Sequence, residues 1–144
     1  MLPITPSVTQ LSQIIAQITA PSFLLGAVAA FVSVLISRMN RVIDRMQALN
    51  DIDDSDPRRM RLKSDLPRLQ RRAALLNKAI FMATMSAIVT SLLVIVAFAA
   101  AMFGVQHEYG IALLFVVALS CFTISLFNLA LEVRIALHGL DHFK

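Results

Sequence analysis

Charge is missing from the first quarter of this chain: no Asp, Glu, Lys or Arg occurs from Met1 to Ser37. Basic residues are missing again from Gly104 to Gly110, where Glu108 is the only charged side chain. Cysteine is nearly absent. The single thiol, Cys121, falls inside an apolar run, so neither an intrachain disulfide nor a cysteine-built metal site can form. The apolar runs hold no histidine, since His107 sits in a polar turn and His138 and His142 in the tail, which excludes histidine ligation of haem or chlorophyll within them. No ionisable residue interrupts the middle of an apolar run, which argues against a proton-coupled transporter. A basic n-region is lacking, so no cleavable secretory signal is expected. There is also no phosphate loop, no metal-ligand spacing, and no nucleophile accompanied by a base and an orienting group. The expectation is a protein that is not an enzyme and carries no cofactor or metal.

What the chain does have is apolar length. Hydrophobic residues make up 58% and charged residues 15%, and the mean hydropathy is +0.74, too apolar for an ordinary soluble domain. The runs Ala79 to Phe103 and Ile111 to Leu131 can each cross a bilayer alone. The run Ser22 to Ser37 reaches membrane length once Ile18, Thr19 and Ala20 extend it, with Pro21 expected to start or kink that helix. The sequence therefore predicts an all-α integral membrane protein of one domain: an outer amphipathic helix over 6–20, a first span over 21–50 that continues beyond the membrane, a returning arm and second span over 57–103, and a third span over 110–137.

Of the thirteen Lys and Arg residues, eleven lie between Arg38 and Lys78, and Arg134 and Lys144 follow the last apolar run. By the positive-inside rule, the amino terminus is expected outside, with the basic hairpin and the carboxyl terminus in the cytoplasm. The net charge of +4 sits beside membrane-length runs, so anionic lipid head groups are the expected partner rather than nucleic acid.

Local patterns refine this outline. Thr5 and Pro6 read as a helix start. Beyond them Val8, Leu11, Ile14, Ile15 and Ile18 share one face, and Gln10, Gln13 and Gln17 another. Such a helix could lie in the outer interface, or, in a ring of copies, turn its glutamines to an aqueous vestibule. Leu35, Met39, Val42, Met46 and Leu49 step by four and three, as do Leu62, Leu66, Leu69, Ala73, Leu76 and Ile80, so the two arms of a helical hairpin are expected to zip together. Between them the acidic stretch from Asp51 to Pro57 supplies a turn, with Asp56 as a cap. Asp65 and Pro67 suit a helix restart.

Three sets of residues are candidates for function. Arg38, Arg41 and Arg45 on the outgoing arm, with Arg68, Arg71, Arg72 and Lys78 on the returning one, form an expected basic collar. It reads either as snorkelling and lipid contact or as an anion funnel or docking surface. On the third span Ala118, Cys121, Ser125, Asn128 and Glu132 make a small and polar stripe that faces another helix or a pore. Glu132, costly to leave unpaired, is expected to pair with Arg41, Lys78 or Arg134. Small residues four apart permit close helix packing, and they recur at Gly26 with Ala30, at Ser33 with Ser37, and through Ala83, Ala87, Ser91 and Val94 near Thr90.

The stretches Arg38-Met39-Asn40-Arg41-Val42-Ile43-Asp44-Arg45, Leu69 to Ile80 and Leu131-Glu132-Val133-Arg134-Ile135-Ala136 resemble the recurrent blocks of a bacterial family of small three-span membrane proteins, catalogued as a domain of unknown function (family 2721). The resemblance covers about Leu11 to Leu137. It implies a prokaryotic plasma-membrane protein and no particular activity. In topology alone the chain is also similar to proton-channel subunits of the ExbB and TolQ kind, though it is much shorter and lacks their large cytoplasmic domain. Two functions follow as expectations. The first is a homo-oligomeric pore or channel for small ions, since one chain of 144 residues is too small to enclose a conduit. The alternative is an accessory or scaffold subunit that docks a partner protein through its basic hairpin.

Overall fold

The computed structural model describes residues 8–52, 55, 57, 59–105 and 108–141. They form four helices: α1 (Val8–Asn50), the single-turn α2 (Arg59–Lys63), α3 (Leu66–Phe103) and α4 (Glu108–Asp141). Helices α1, α3 and α4 are each long and apolar enough to cross a membrane. At 1.5 Å per residue, the 43 residues of α1 extend about 65 Å, roughly twice the ~30 Å hydrocarbon core. Much of α1 therefore lies outside lipid.

Pro21 lies inside α1 rather than at its start. The expected outer helix over 6–20 and the first span are one unbroken helix. A proline here removes one backbone donor and frees the carbonyl four residues earlier, a defect that neighbouring helices can absorb, and Pro21 is buried. The return restarts where Asp65 and Pro67 suggested: the first piece ends at Lys63, and α3 begins at Leu66, with Asp65 at its N-cap position and Pro67 in the first turn. Asp65 makes no side-chain capping bond. The expected roles of Thr5, Pro6, Asp56, His107 and His142 fall outside the described residues.

One spacing organises the packing. Along α1, Val28, Leu35, Val42 and Leu49 are buried, each seven residues after the last, and buried Pro21 extends that line. Along α3 the buried residues Leu69, Leu76, Ala83, Thr90 and Ala97 keep the same interval, with Ala79, Ser86 and Leu93 interleaved. On α4 the buried set is Ala118, Ser125 and Glu132, seven apart again. A strict seven-residue repeat holds one stripe of each helix against its neighbour through a left-handed supercoil. Helix α3 is the middle member, packed along both α1 and α4, while α1 and α4 touch each other only locally. One such touch is the edge-to-face contact of Phe31 with Phe122, 5.3 Å between centroids.

The core changes character along its length. Leu35, Val42, Leu49, Leu69 and Leu76 form a leucine-rich cluster, supported by half-buried Met39, Met46, Ala73 and Ile80. Small residues take over farther along α3, at Ala79, Ala83, Ser86, Thr90 and Ala97. In lipid there is no apolar driving force between helices, so close approach of small residues does the work that burying leucine does in water. At the far end α3 stops at Gly104, whose φ of 68° is left-handed and lets the Val105 N–H reach back to the Ala100 carbonyl at 3.0 Å.

Candidate functional site

Three polar contacts tie α3 to α4 at intervals of seven residues on both helices. Ser86 donates its hydroxyl proton to the Ala118 carbonyl at 2.8 Å. Ser125 donates to the Ala79 carbonyl at 2.6 Å. Seven residues further along each helix, the Arg72 Nε donates to Glu132 Oε1 at 2.8 Å. The antiparallel register of the pair is thus fixed by two hydroxyl–carbonyl rungs inside the bundle and one charged rung at its basic end. Thr90, also fully buried, satisfies its hydroxyl on the Ser86 carbonyl of its own helix at 2.7 Å.

The charged rung includes α1. Arg38 donates Nε to Glu132 Oε2 at 2.8 Å, and its Nη2 approaches the same oxygen at 2.7 Å. Glu132 is completely buried, while the side chains of Arg38 and Arg72 keep 31% and 20% exposure. Each carboxylate oxygen therefore has its own guanidinium, one from each neighbouring helix, and the arginines run outward to solvent. A buried charge is tolerated only when paired and hydrogen-bonded; here one carboxylate meets both conditions and joins all three long helices at a single level.

The expected partners of Glu132 are corrected. Arg41, Lys78 and Arg134 are all exposed. Arg134 lies two positions beyond Glu132, on the opposite side of α4 at 100° per residue, and Lys78 is nearly two turns along α3 from Arg72. Arg38 and Arg72 occupy seven-residue lines instead: Leu24, Phe31 and Arg38 on α1, and Arg72, Ala79 and Ser86 on α3. The seven basic residues read as a collar thus divide. Arg38 and Arg72 turn inward, Arg68 is half-buried, and Arg41, Arg45, Arg71 and Lys78 are exposed.

The remaining candidates are placed as follows. In the third-span stripe Ala118, Ser125 and Glu132 are buried, whereas Cys121 and Asn128 are half-buried; Asn128 donates to the Ile124 carbonyl at 3.0 Å. Gln13 and Gln17 are exposed near the start of α1, and the Gln10 side chain lies outside the described residues. On the second span Ala83 and Thr90 are buried, Ala87 and Val94 half-buried, and Ser91 exposed. Gly26, Ala30, Ser33 and Ser37 are all exposed, on the side of α1 turned away from α3. Among the described residues no group of three His, Cys, Asp or Glu side chains could hold a metal ion.

Three membrane-length apolar helices and a charged layer at the end of the apolar region define the class: a helical membrane protein of the multi-pass type. The chain belongs to the family described as Protein of unknown function (DUF2721), whose model matches residues 18–142. That span contains Arg38, Arg72 and Glu132. No curated protein and no solved structure matches the chain.

Proposed function

We propose that the protein acts as a homo-oligomer whose copies meet through the face of α1 opposite its core, and that a ring of them conducts small ions along the shared axis. One observation carries this reading. The exposed faces of α3 and α4 are covered by bulky side chains suited to lipid, such as Phe81, Leu92, Ile95, Leu113 and Phe127. The outward side of α1 exposes Phe23 and Val34 at its flank, but along its centre it carries Gly26, Ala30, Ser33 and Ser37. Small residues at four- and seven-residue intervals let helices approach closely, and on a lipid-facing surface they would leave poor packing against acyl chains. The hydroxyls of Thr84, Ser91, Ser120 and Thr123 are spent on carbonyls of their own helix, while no such bond engages Ser33 or Ser37. A ring centred on this face places Ser33 and Ser37 nearest the axis and Arg41 at the basic mouth. The stripe Ala118, Ser125 and Glu132 is engaged with α3 and takes no part in the conduit. Gln17, on the line of Leu24 and Phe31, stands away from the axis and does not line a vestibule, and the continuity of α1 carries its first turns on along the span direction.

The charge asymmetry supports the amino terminus outside and the basic end in the cytoplasm of a prokaryotic plasma membrane. The test is native mass spectrometry in lipid nanodiscs, followed by conductance of reconstituted bilayers. A ring of about four or more copies, dispersed by Gly26→Ile and changed in ion preference by Arg41→Gln, is the expected result. Nothing lies within 4 Å of a Cβ at Gly26, so that substitution leaves the single chain intact. A monomer, or a complex with a protein of different sequence, would remove the pore. The scaffold reading would then stand, since exposed Arg41, Arg71 and Lys78 suit an acidic partner.

A further inference from the structure

Beyond Glu132 lies an open groove of about 230 Å³, lined by Arg45 from α1, by Asp65, Arg68, Leu69 and Arg72 around the start of α3, and by Ala136 and Gly139 near the end of α4. Three guanidinium groups from two helices converge on it against one carboxylate. Arg72 is already engaged by Glu132. No carboxylate among the described residues lies within ion-pair distance of Arg45 or Arg68. The α4 side of the groove is made of small residues, and the Arg68 guanidinium packs closely over one of them: a Cβ added at Gly139 would lie 3.0 Å from Arg68 Nη1, so a branched side chain there would push the guanidinium aside.

The depth of the groove matches a particular layer of the membrane. Arg68 is one helical turn, about 6 Å, beyond Arg72, and Arg45 is seven residues, about 10 Å, beyond Arg38. The clamp marks the end of the apolar region, and a head-group layer is roughly 5–8 Å thick on each side. Arg68 therefore stands at head-group height, where phosphate is the abundant anion, and Arg45 just above it, close enough for its long side chain to reach back down. Arginine forks bind phosphate oxygens in pairs, and two unpaired forks beside a third polarised by its carboxylate form a preorganised anion site.

We propose that this groove binds the phosphate of an anionic phospholipid, with Arg45 and Arg68 as its direct ligands and Gly139 as the residue that positions Arg68. The site lies within one chain, so the proposal holds for a monomer as well as for a ring and does not depend on conduction. The full-length protein is released from nanodiscs of phosphatidylglycerol mixed with phosphatidylcholine, and retained lipid is counted by native mass spectrometry. The expected result is retained phosphatidylglycerol, reduced at least tenfold in occupancy by Arg45→Gln with Arg68→Gln and unchanged by Lys78→Gln with Arg134→Gln, which removes the same charge from exposed positions. Gly139→Val keeps every charge but displaces Arg68, and is expected to lower retention severalfold while the helical circular dichroism stays that of the wild type. A second arm measures thermal stability in detergent with glycerol phosphate and no lipid. Stabilisation there at micromolar concentration would assign the groove to a free phosphate ester and overturn the lipid. Equal loss of retained lipid from both double variants, or retention unaltered by Arg45→Gln with Arg68→Gln, would overturn the site.

Discussion

Replacing Glu132 by Gln is the sharpest probe of how the helices are joined. The substitution keeps shape and volume and removes one charge. In the wild type each carboxylate oxygen accepts from a different arginine at 2.8 Å, and each charge-assisted bond is worth about 1.5–3 kcal/mol. A glutamine can still accept from one arginine, but its amide NH₂ then faces the other, donor against donor. The lost bond and the two uncompensated guanidinium groups together cost about 3 kcal/mol, the low end of what breaking a buried pair costs, because Arg38 and Arg72 keep partial access to solvent. That is roughly a 150-fold change in the unfolding equilibrium. The assay is reversible unfolding in mixed micelles, read by fluorescence transfer between labels on α1 and α4. Adding Arg72→Gln to Glu132→Gln should recover more than half of the loss, since a single arginine then faces a neutral acceptor. A Glu132→Gln protein within about 0.5 kcal/mol of the wild type, the range of an ordinary surface change, would refute the clamp.

Other outcomes follow from the same contacts. Ser86→Ala and Ser125→Ala should each cost about 0.6 kcal/mol, the mean worth of an interhelical hydrogen bond in a membrane, and act additively in the same unfolding assay because the rungs are seven residues apart. Ala83→Leu should cost more than either, about 2 kcal/mol, since Ala83 is fully buried in the close-packed part of α3. Gly104→Ala should cost about 1 kcal/mol. Nothing lies within 4 Å of the new Cβ, so the whole effect is the backbone penalty at φ 68°, and Gly104→Asn should recover part of it. Leu76→Ala should cost about 3 kcal/mol by opening a cavity in the leucine-rich cluster, with the loss seen in denaturation followed by helical circular dichroism.

The spans were legible because membrane-length apolar runs and missing charges are properties of composition, which need no knowledge of tertiary contacts. Part of the core was legible too: Leu35, Val42, Leu49, Leu69 and Leu76, picked out by the four-and-three spacing, are buried in one cluster, since that spacing is a local signal. The choice of arginines by Glu132 was not, because seven cations near one membrane face look alike when only charge is counted. The missing signal was within reach: the span lines Leu24–Phe31 and Ala79–Ser86, carried seven residues toward the hairpin, land on Arg38 and Arg72, as the line Ala118–Ser125 on α4 lands on Glu132. The continuity of α1 through Pro21 was hidden for a different reason. Proline reads as a helix boundary in water, whereas a buried position beside another helix tolerates the lost donor.

The clamp also has an order in time. Glu132 lies 94 residues after Arg38 and 60 after Arg72, so during synthesis both arginines emerge long before their carboxylate. Until α4 arrives, α1 and α3 form a hairpin that holds two like charges at one level with nothing between them. The last helix thus acts as the bolt of the assembly, and a ribosome that stops before Glu132 releases a product marked by an excess of positive charge at that level.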